Sequence, residues 1–341
     1  MKSPRRTLAL LFLAFTAAAS AADYRVIARY PLPGDGTYDY VRADSAARIL
    51  YVAHATRFEV LNLDSGKKIG ELSPCNGAHG VALVPALGRG FTSNGLDRTV
   101  TMFDLKTLAT LKVIKYTGVK PDAIEYDPES NRIYVVNGGA TGDITVIDPA
   151  TGAITGTIMI GGGKLEQLVF DGHGRGFVND EEKSVVHVFD TKTLTTVAQW
   201  SLAPAEGPTG IALDNVHHRL FAGCGNEKLA VLDSDTGKLV TTVTIGSEPD
   251  GTFYQPATGL IYSSNRDGTF NVIRQETPNT YAVIQTLATA YGCRTLAVDE
   301  KTGRIFMPTA KFGPAPAPTK EVPEPRPPVL PGTFEIVVVG K

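Results

Sequence analysis

The sequence predicts an all-β fold, a seven-bladed β-propeller of four-stranded antiparallel blades, on three observations. One short motif recurs at a regular interval, each repeat holds four short apolar runs, and the repeats lack helical periodicity. The motif is a basic or small residue followed by an apolar pair that includes an aromatic. Its aromatics are Tyr51, Phe91, Tyr134, Phe177, Phe221, Tyr262 and Phe306, spaced by about 40–44 residues, the period of propeller blades.

The elements follow in chain order. MKSPRRTLALLFLAFTAAASAADY has a basic start, an apolar run from Leu8 to Phe15 and the small residues Ala19-Ser20-Ala21. That order reads as a secretory signal peptide over residues 1–21, too short to span a membrane. Arg5-Arg6 also admits a twin-arginine signal, but Thr7-Leu8 fits that pattern loosely, so ordinary secretion is expected. The rest, residues 22–341, reads as one propeller domain. DYRVIARYPL is a fourth strand without its first three.

Inner strands then recur as DYVRAD, HGVALV, DAIEYD, EQLVFD, TGIALD, DGTFYQ and CRTLAVD. The aromatic motif supplies second strands, and FEVLNLD, VTMFDLK, ITVIDPA, VHVFDTK and LAVLDSD supply third strands. Runs such as AITGTIMIG and LVTTVTIG supply the fourth. Asp64, Asp104, Asp148, Asp190 and Asp233 end third strands, where a carboxylate accepts N–H bonds of the following turn. Blade six departs, with Arg274 in NVIRQE. The C-terminal TFEIVVVGK is a third strand lacking its fourth, so the two chain ends should complete blade seven together.

IYVVNGG (Ile133–Gly139) with ITVIDPATGAITGTI, and LYVAHA (Leu50–Ala55) with FEVLNLDSGKKIGEL, resemble the YVTN-repeat propellers, typified by YncE-like exported bacterial proteins. The resemblance covers nearly all of the chain after the signal. It implies a seven-bladed propeller in the periplasm or outside the cell, with no shared catalytic set. Tyr134, Val135 and Asn137 match the family motif, in strand and turn. The resemblance also implies a nucleic-acid alternative, since single-stranded DNA binding is associated with some YncE-like proteins.

Charge argues against that alternative. Removing the signal takes away Lys2, Arg5 and Arg6 and no acid, so the formal charge moves from −2 to −5. Backbone phosphates are bound by Lys and Arg displacing counterions, and an acidic chain lacks that surplus. No later apolar run is long enough to span a bilayer. A monomer, periplasmic or secreted, is expected. The cysteines Cys75, Cys224 and Cys293 are odd in number, have no CxxC spacing and fall blades apart. A disulfide needs Cα atoms within about 7 Å, so free thiols are expected.

Function in such a wheel belongs at the ends of the channel, where inner strands and their loops converge. The residues that begin the inner strands are Asp39, His79, Asp122, Glu166, Thr209, Asp250 and Arg294. They fall at one equivalent position and should ring one mouth. Arg294 lies between Asp250 and Asp39, and His79 between Asp39 and Asp122. Asp122 and Glu166 are adjacent acids with no built-in cation, so they share a proton or recruit a positive charge. The plainer reading is that these groups bond loop backbones or line a wet hole.

Other candidates carry less. GGGK (Gly161–Lys164) hints at a phosphate cradle, but no Ser, Thr or helix follows, so it reads as a blade connector. His217-His218 falls in an exposed turn on the opposite face, and His187 within a third strand as a packing residue. His54, Asn94, Asn137, Asn179 and Asn265 fall in second-to-third-strand turns, where Asn-Gly suits turn geometry. The proline-rich Phe312–Phe334 interrupts blade seven on the face of the ring, as a strap over neighbouring blades or a lid over the mouth.

The favoured function is an exported, non-enzymatic scaffold binding a small molecule or protein partner at the polar mouth. The alternatives are a metal-assisted, lactonase-like hydrolase using the acidic ring, and nucleic-acid binding. No motif specifies a cofactor, a metal or a catalytic set.

Overall fold

The computed structural model describes residues 23–32, 34–115, 119–139, 142–320, 322 and 325–341. The segment read as a signal peptide, residues 1–21, lies outside the described residues. Those residues form seven four-stranded antiparallel sheets. The inner strands are Tyr38–Asp44, Ala78–Val84, Pro121–Asp127, Leu165–Phe170, Pro208–Asp214, Pro249–Gln255 and Ala297–Asp299. Each contacts the next, and the seventh contacts the first, so the ring is closed. The one helical element among the described residues is the short turn Pro85–Leu87.

Closure uses both chain ends. In blade seven the order from the axis outward is Ala297–Asp299, Arg304–Thr309, Glu335–Gly340 and the N-terminal strand Arg25–Pro31. The N-terminal strand supplies the outer fourth strand, as the two incomplete end segments require. Burial follows from the radial stacking of sheets. Second and third strands bury both faces between neighbouring blades, so Tyr51, Phe91, Tyr134, Phe177, Phe221, Tyr262 and Phe306 are all fully buried. The repeating aromatic is therefore an inter-blade packing residue.

The basic residue before that aromatic has a role of its own. Arg89 donates to the Pro149 carbonyl at 3.0 Å, Arg132 to Thr191 O at 3.0 Å and Arg175 to Ser234 O at 2.9 Å. Arg219 donates to Pro278 O at 2.8 Å, and Arg304 to Asp64 at 3.0 Å. In each case the arginine opens a second strand and reaches the turn before the outer strand of the following blade. Asp104, Asp148, Asp190 and Asp233 accept backbone N–H bonds in those turns, as expected. Asp64 does not. Blade one uses Asn62, whose Oδ1 accepts the Ser65 N–H at 2.9 Å, and this frees Asp64 for Arg48 and Arg304.

The proline-rich segment joins the second and third strands of blade seven. Its root is packed: Phe312 bridges to Val329, and the Phe334 ring stacks 5.3 Å from that of Tyr38. Pro314 to Lys320 are exposed, so that stretch is not strapped down onto the neighbouring blades. The three cysteines are free and buried in separate blades. No helix among the described residues is long and apolar enough to cross a membrane.

Candidate functional site

Six of the seven ring residues occupy the second position of an inner strand, and a register shift falls there in each case. Tyr38 pairs with His54 and Val41 with Val52, which leaves one extra residue in the inner strand around Asp39. The same extra residue occurs around His79, Asp122, Glu166, Thr209 and Asp250. A bulge re-aims the side chain it carries. Arg294 belongs to the irregular approach to the short inner strand of blade seven, and its backbone carbonyl accepts the Asp250 N–H at 3.0 Å.

Charges then pair around the mouth. Arg294 forms an ion pair with Asp250 and stands 3.7 Å from Asp39, between the two as its sequence position requires. His79 Nδ1 bonds Asp39 and lies 3.7 Å from Asp122 Oδ1. The other edge of the imidazole packs on Gly95, where an added Cβ would stand 2.6 Å from Nε2. Thr209 is committed elsewhere, because its hydroxyl donates to the Pro249 carbonyl of the next blade.

One expectation fails. Glu166 does have a cation beside it, supplied by the residue two positions before the acid, whereas the group paired with Asp122 is His79 at 3.7 Å. Lys164, the lysine of the GGGK loop, stands 2.9 Å from Glu166 and also pairs with Glu181. Lys120 is exposed near the Asp122 end of the ring and opposes the ionised-state penalty of Asp122. The loop itself is held by Lys183, whose Nζ donates to the Gly161 and Gly162 carbonyls at 2.8 and 3.0 Å.

The cations do not neutralise the acids completely. Burial pushes the Asp122 carboxyl up to about 6, and the charges of Asp39 and Asp250 add to burial against His79. Glu166 is raised well above the carboxylate range by burial, then by Asp122 and Asp250. Asp250 is raised by burial despite Arg294. Asp39 moves the other way: burial opposes its charge, but the His79 bond and Arg294 outweigh it. Burial also opposes the charge of His79, and Asp39 with Asp122 overcomes it to raise the imidazole. A cation bound at the mouth would therefore favour the ionised form of these carboxyls.

Sequence reasoning missed Tyr40. This tyrosine follows Asp39 in the bulge, packs against the apolar cluster of blades three and four that includes Ala123 and Leu168, and lines the channel. Burial and then Asp122, Glu166, Asp250 and Asp39 raise its hydroxyl well above the usual value. Its ring therefore crosses the lumen beneath the acids. No signal in the repeat marks it, since the equivalent positions hold Gly80, Ala123, Gln167, Gly210 and Gly251. The three glycines serve close approach of neighbouring blades, since an added Cβ would meet Ile124 at Gly80, Thr252 at Gly210 and Leu296 at Gly251.

Several asparagines also stand differently from expectation. Asn94, Asn137 and Asn265 are fully buried ends of second strands. Asn94 Nδ2 donates to Thr99 and Thr101 at 3.0 and 2.9 Å, and Asn137 Nδ2 to Thr145 at 2.9 Å. Asn179, likewise buried, donates to the Thr209 and Gly210 carbonyls, and the His54 ring packs at a tilt, 4.5 Å from that of Phe334. The glycine after Asn94 serves close approach to His79, not a turn with positive φ. His187 bonds Asp180 at 3.1 Å in the core, and His217 bonds Asp214 at 2.7 Å beside its turn.

Fold and mouth together define a class, a seven-bladed propeller whose channel carries an acidic ring with interleaved cations. A scan against protein-family models finds no match, and a search of curated proteins finds none either.

Proposed function

We propose that this chain is an exported, non-enzymatic propeller scaffold that binds a cation, or a small ligand bearing one, at the acidic mouth of its channel. The observation that carries the reading is the set of carboxylates around one lumen, half-buried Asp122 and buried Glu166 and Asp250, all raised by desolvation. A positive charge placed among them replaces protons and recovers the ionised state. Export rests on the signal-like residues 1–21 and on the resemblance of IYVVNGG and LYVAHA to the YVTN-repeat propellers.

A second reading, a metal-assisted hydrolase, has one specific support. One ligand atom each from Asp39, His79 and Asp122 lies within 4.8 Å of the others, a donor set suited to a divalent ion. Nucleic-acid binding lacks such support, because the mouth presents carboxylates where phosphates would have to approach.

Calorimetric titration of the purified protein with calcium, zinc and methylammonium tests the proposal. At least one cation should bind, more tightly at about pH 8 than at about pH 5, and Asp122→Asn should weaken it by about tenfold or more. Equal affinity at both pH values, or an unaffected Asp122→Asn variant, rejects it. Turnover of a simple lactone by the metal-loaded protein, lost in His79→Ala, would favour the hydrolase instead.

A further inference from the structure

The channel contains a second space that the acidic ring does not use. On the far side of Tyr40 lies a cavity of about 670 Å³ whose walls come from all seven inner strands. Its volume falls within the range of small-molecule pockets, about 300–1,000 Å³. It opens at the face opposite the ring, where Asp44, Pro128, Asn215 and Glu300 form the rim. Tyr40 lines the inner end of this space, between it and the acidic ring.

The lining combines two chemistries. Tyr40, Tyr126, Phe170 and Phe253 contribute aromatic surface among aliphatic residues such as Leu213. Arg42 and Glu125 face each other from blades one and three, with Nη1 at 2.8 and 3.1 Å from the two carboxylate oxygens. Arg42 is the one cation among the described lining residues, against the carboxylates of Asp44, Glu125 and Glu300. The surplus is negative, so the pocket attracts positive charge and repels anions. Aromatic faces add to that preference, since a ring quadrupole stabilises an ammonium group placed over it. A bare metal ion does not suit the space. Among the described residues, the cluster close enough to hold one is Asp39, His79 and Asp122, at the other end of the channel.

We propose that this cavity is a binding site for an apolar organic cation, an ammonium group on an aromatic or short aliphatic body. The ammonium sits by Glu125 and the aromatic faces, and the body covers the apolar wall above Leu213. This site stands on its own lining and does not depend on the reading of the acidic mouth.

Calorimetric titration of the full chain with benzyltrimethylammonium, benzyl alcohol and benzoate tests it. The ammonium should bind at least about tenfold more tightly than the neutral alcohol, with benzoate weakest. Glu125→Gln should cost the ammonium about tenfold, and Leu213→Trp, which fills the lumen, should abolish binding. Asp122→Asn at the acidic mouth should leave this affinity unchanged, which separates the two sites. Benzoate binding as tightly as the ammonium overturns the proposal, as does no ammonium binding to folded wild-type protein. Unchanged affinity in Glu125→Gln does so too. Should that variant fail to fold, retained affinity in Leu213→Trp overturns it equally.

Discussion

His79 holds its position through contacts on both edges of its ring, a carboxylate on one and Gly95 on the other. Gly95→Ala would bring a methyl group 2.6 Å from Nε2 and 3.3 Å from the Pro121 carbonyl, so the imidazole has to shift. Overpacking of that kind costs about 1–3 kcal/mol. The melting temperature should fall, and cation affinity at the mouth should fall with it. A drop in stability with unchanged affinity would show that His79 does not organise the mouth. Asp122 makes a sharper test because its sign is fixed by linkage. Its carboxyl is raised to about 6, so the folded state holds a proton that the unfolded chain releases near its ordinary value. Its contribution to stability is therefore full in acid and is lost as pH rises toward and through about 6. Ionising so displaced a carboxyl costs the folded state about 2–3 kcal/mol at neutral pH. Asp122→Asn removes that penalty, so the variant should melt several degrees higher than wild type at about pH 8, with the gap closing toward about pH 4. A gap that stays constant across that range would place the proton elsewhere.

At the scale of the element, the recurring arginine shows why part of this architecture was legible and part was not. Arg89, Arg132, Arg175, Arg219 and Arg304 stand in register before the aromatic in five of the seven motifs, so the repeat is visible in one dimension. For four of them the partners are turn carbonyls of the next blade, which leave no mark in a sequence, while Arg304 reaches the Asp64 carboxylate. Arg219 donates to Pro278 O and Asn279 Oδ1, both at 2.8 Å, and to Asp233 at 3.0 Å. Arg219→Met keeps the apolar stem and removes every donor, so the charge-assisted bonds to the half-buried Pro278 carbonyl and Asp233 carboxylate are lost. A loss of about 2–4 kcal/mol in urea unfolding is expected; a change within experimental error would reduce the staple to a surface contact. The ring obeyed the same division. Asp39, His79, Asp122 and Asp250 could be placed because inner strands repeat and these copies carry their acid or base at one position. Arg294 between two acids followed from blade order alone. Lys164 was overlooked because it lies before the strand, and only the backbone path through GGGK brings its ammonium to Glu166. The bulges escaped notice for a related reason. An extra residue in a strand is defined by its partner's register, so Tyr40 could not be aimed into the lumen from the string DYVRAD.

For the whole molecule, the controlling contact is the one that closes the wheel. Blade seven has an inner strand of only three residues, Ala297–Asp299, and its outer strand comes from the opposite end of the chain. The weak inner strand makes the outer one more important. Arg25–Pro31 pairs along Glu335–Gly340, the Tyr24 hydroxyl meets that of Tyr262 at 2.7 Å, and Leu32 N–H donates to Phe334 O at 2.8 Å. Arg48 adds an ion pair across the seam, 2.8 Å from Asp299. Deleting residues 23–31 would expose an unpaired strand edge and the buried side chains of Val337 and Val339, with nothing to cover them. We expect the truncated chain to lose its cooperative melting transition and to aggregate. Deleting residues 314–327 should leave the transition within a few degrees of wild type, because Pro314 to Lys320 bury little and the packed root at Phe312 and Phe334 remains. Scanning calorimetry of both truncations decides the matter. The seam also joins the two halves of the acidic mouth, since Arg294 of blade seven faces Asp39 of blade one. Any truncated protein that stays folded with an open seam should therefore bind cations more weakly at that mouth. Intact affinity in such a protein would mean that the ring residues are held by their own blades and not by closure.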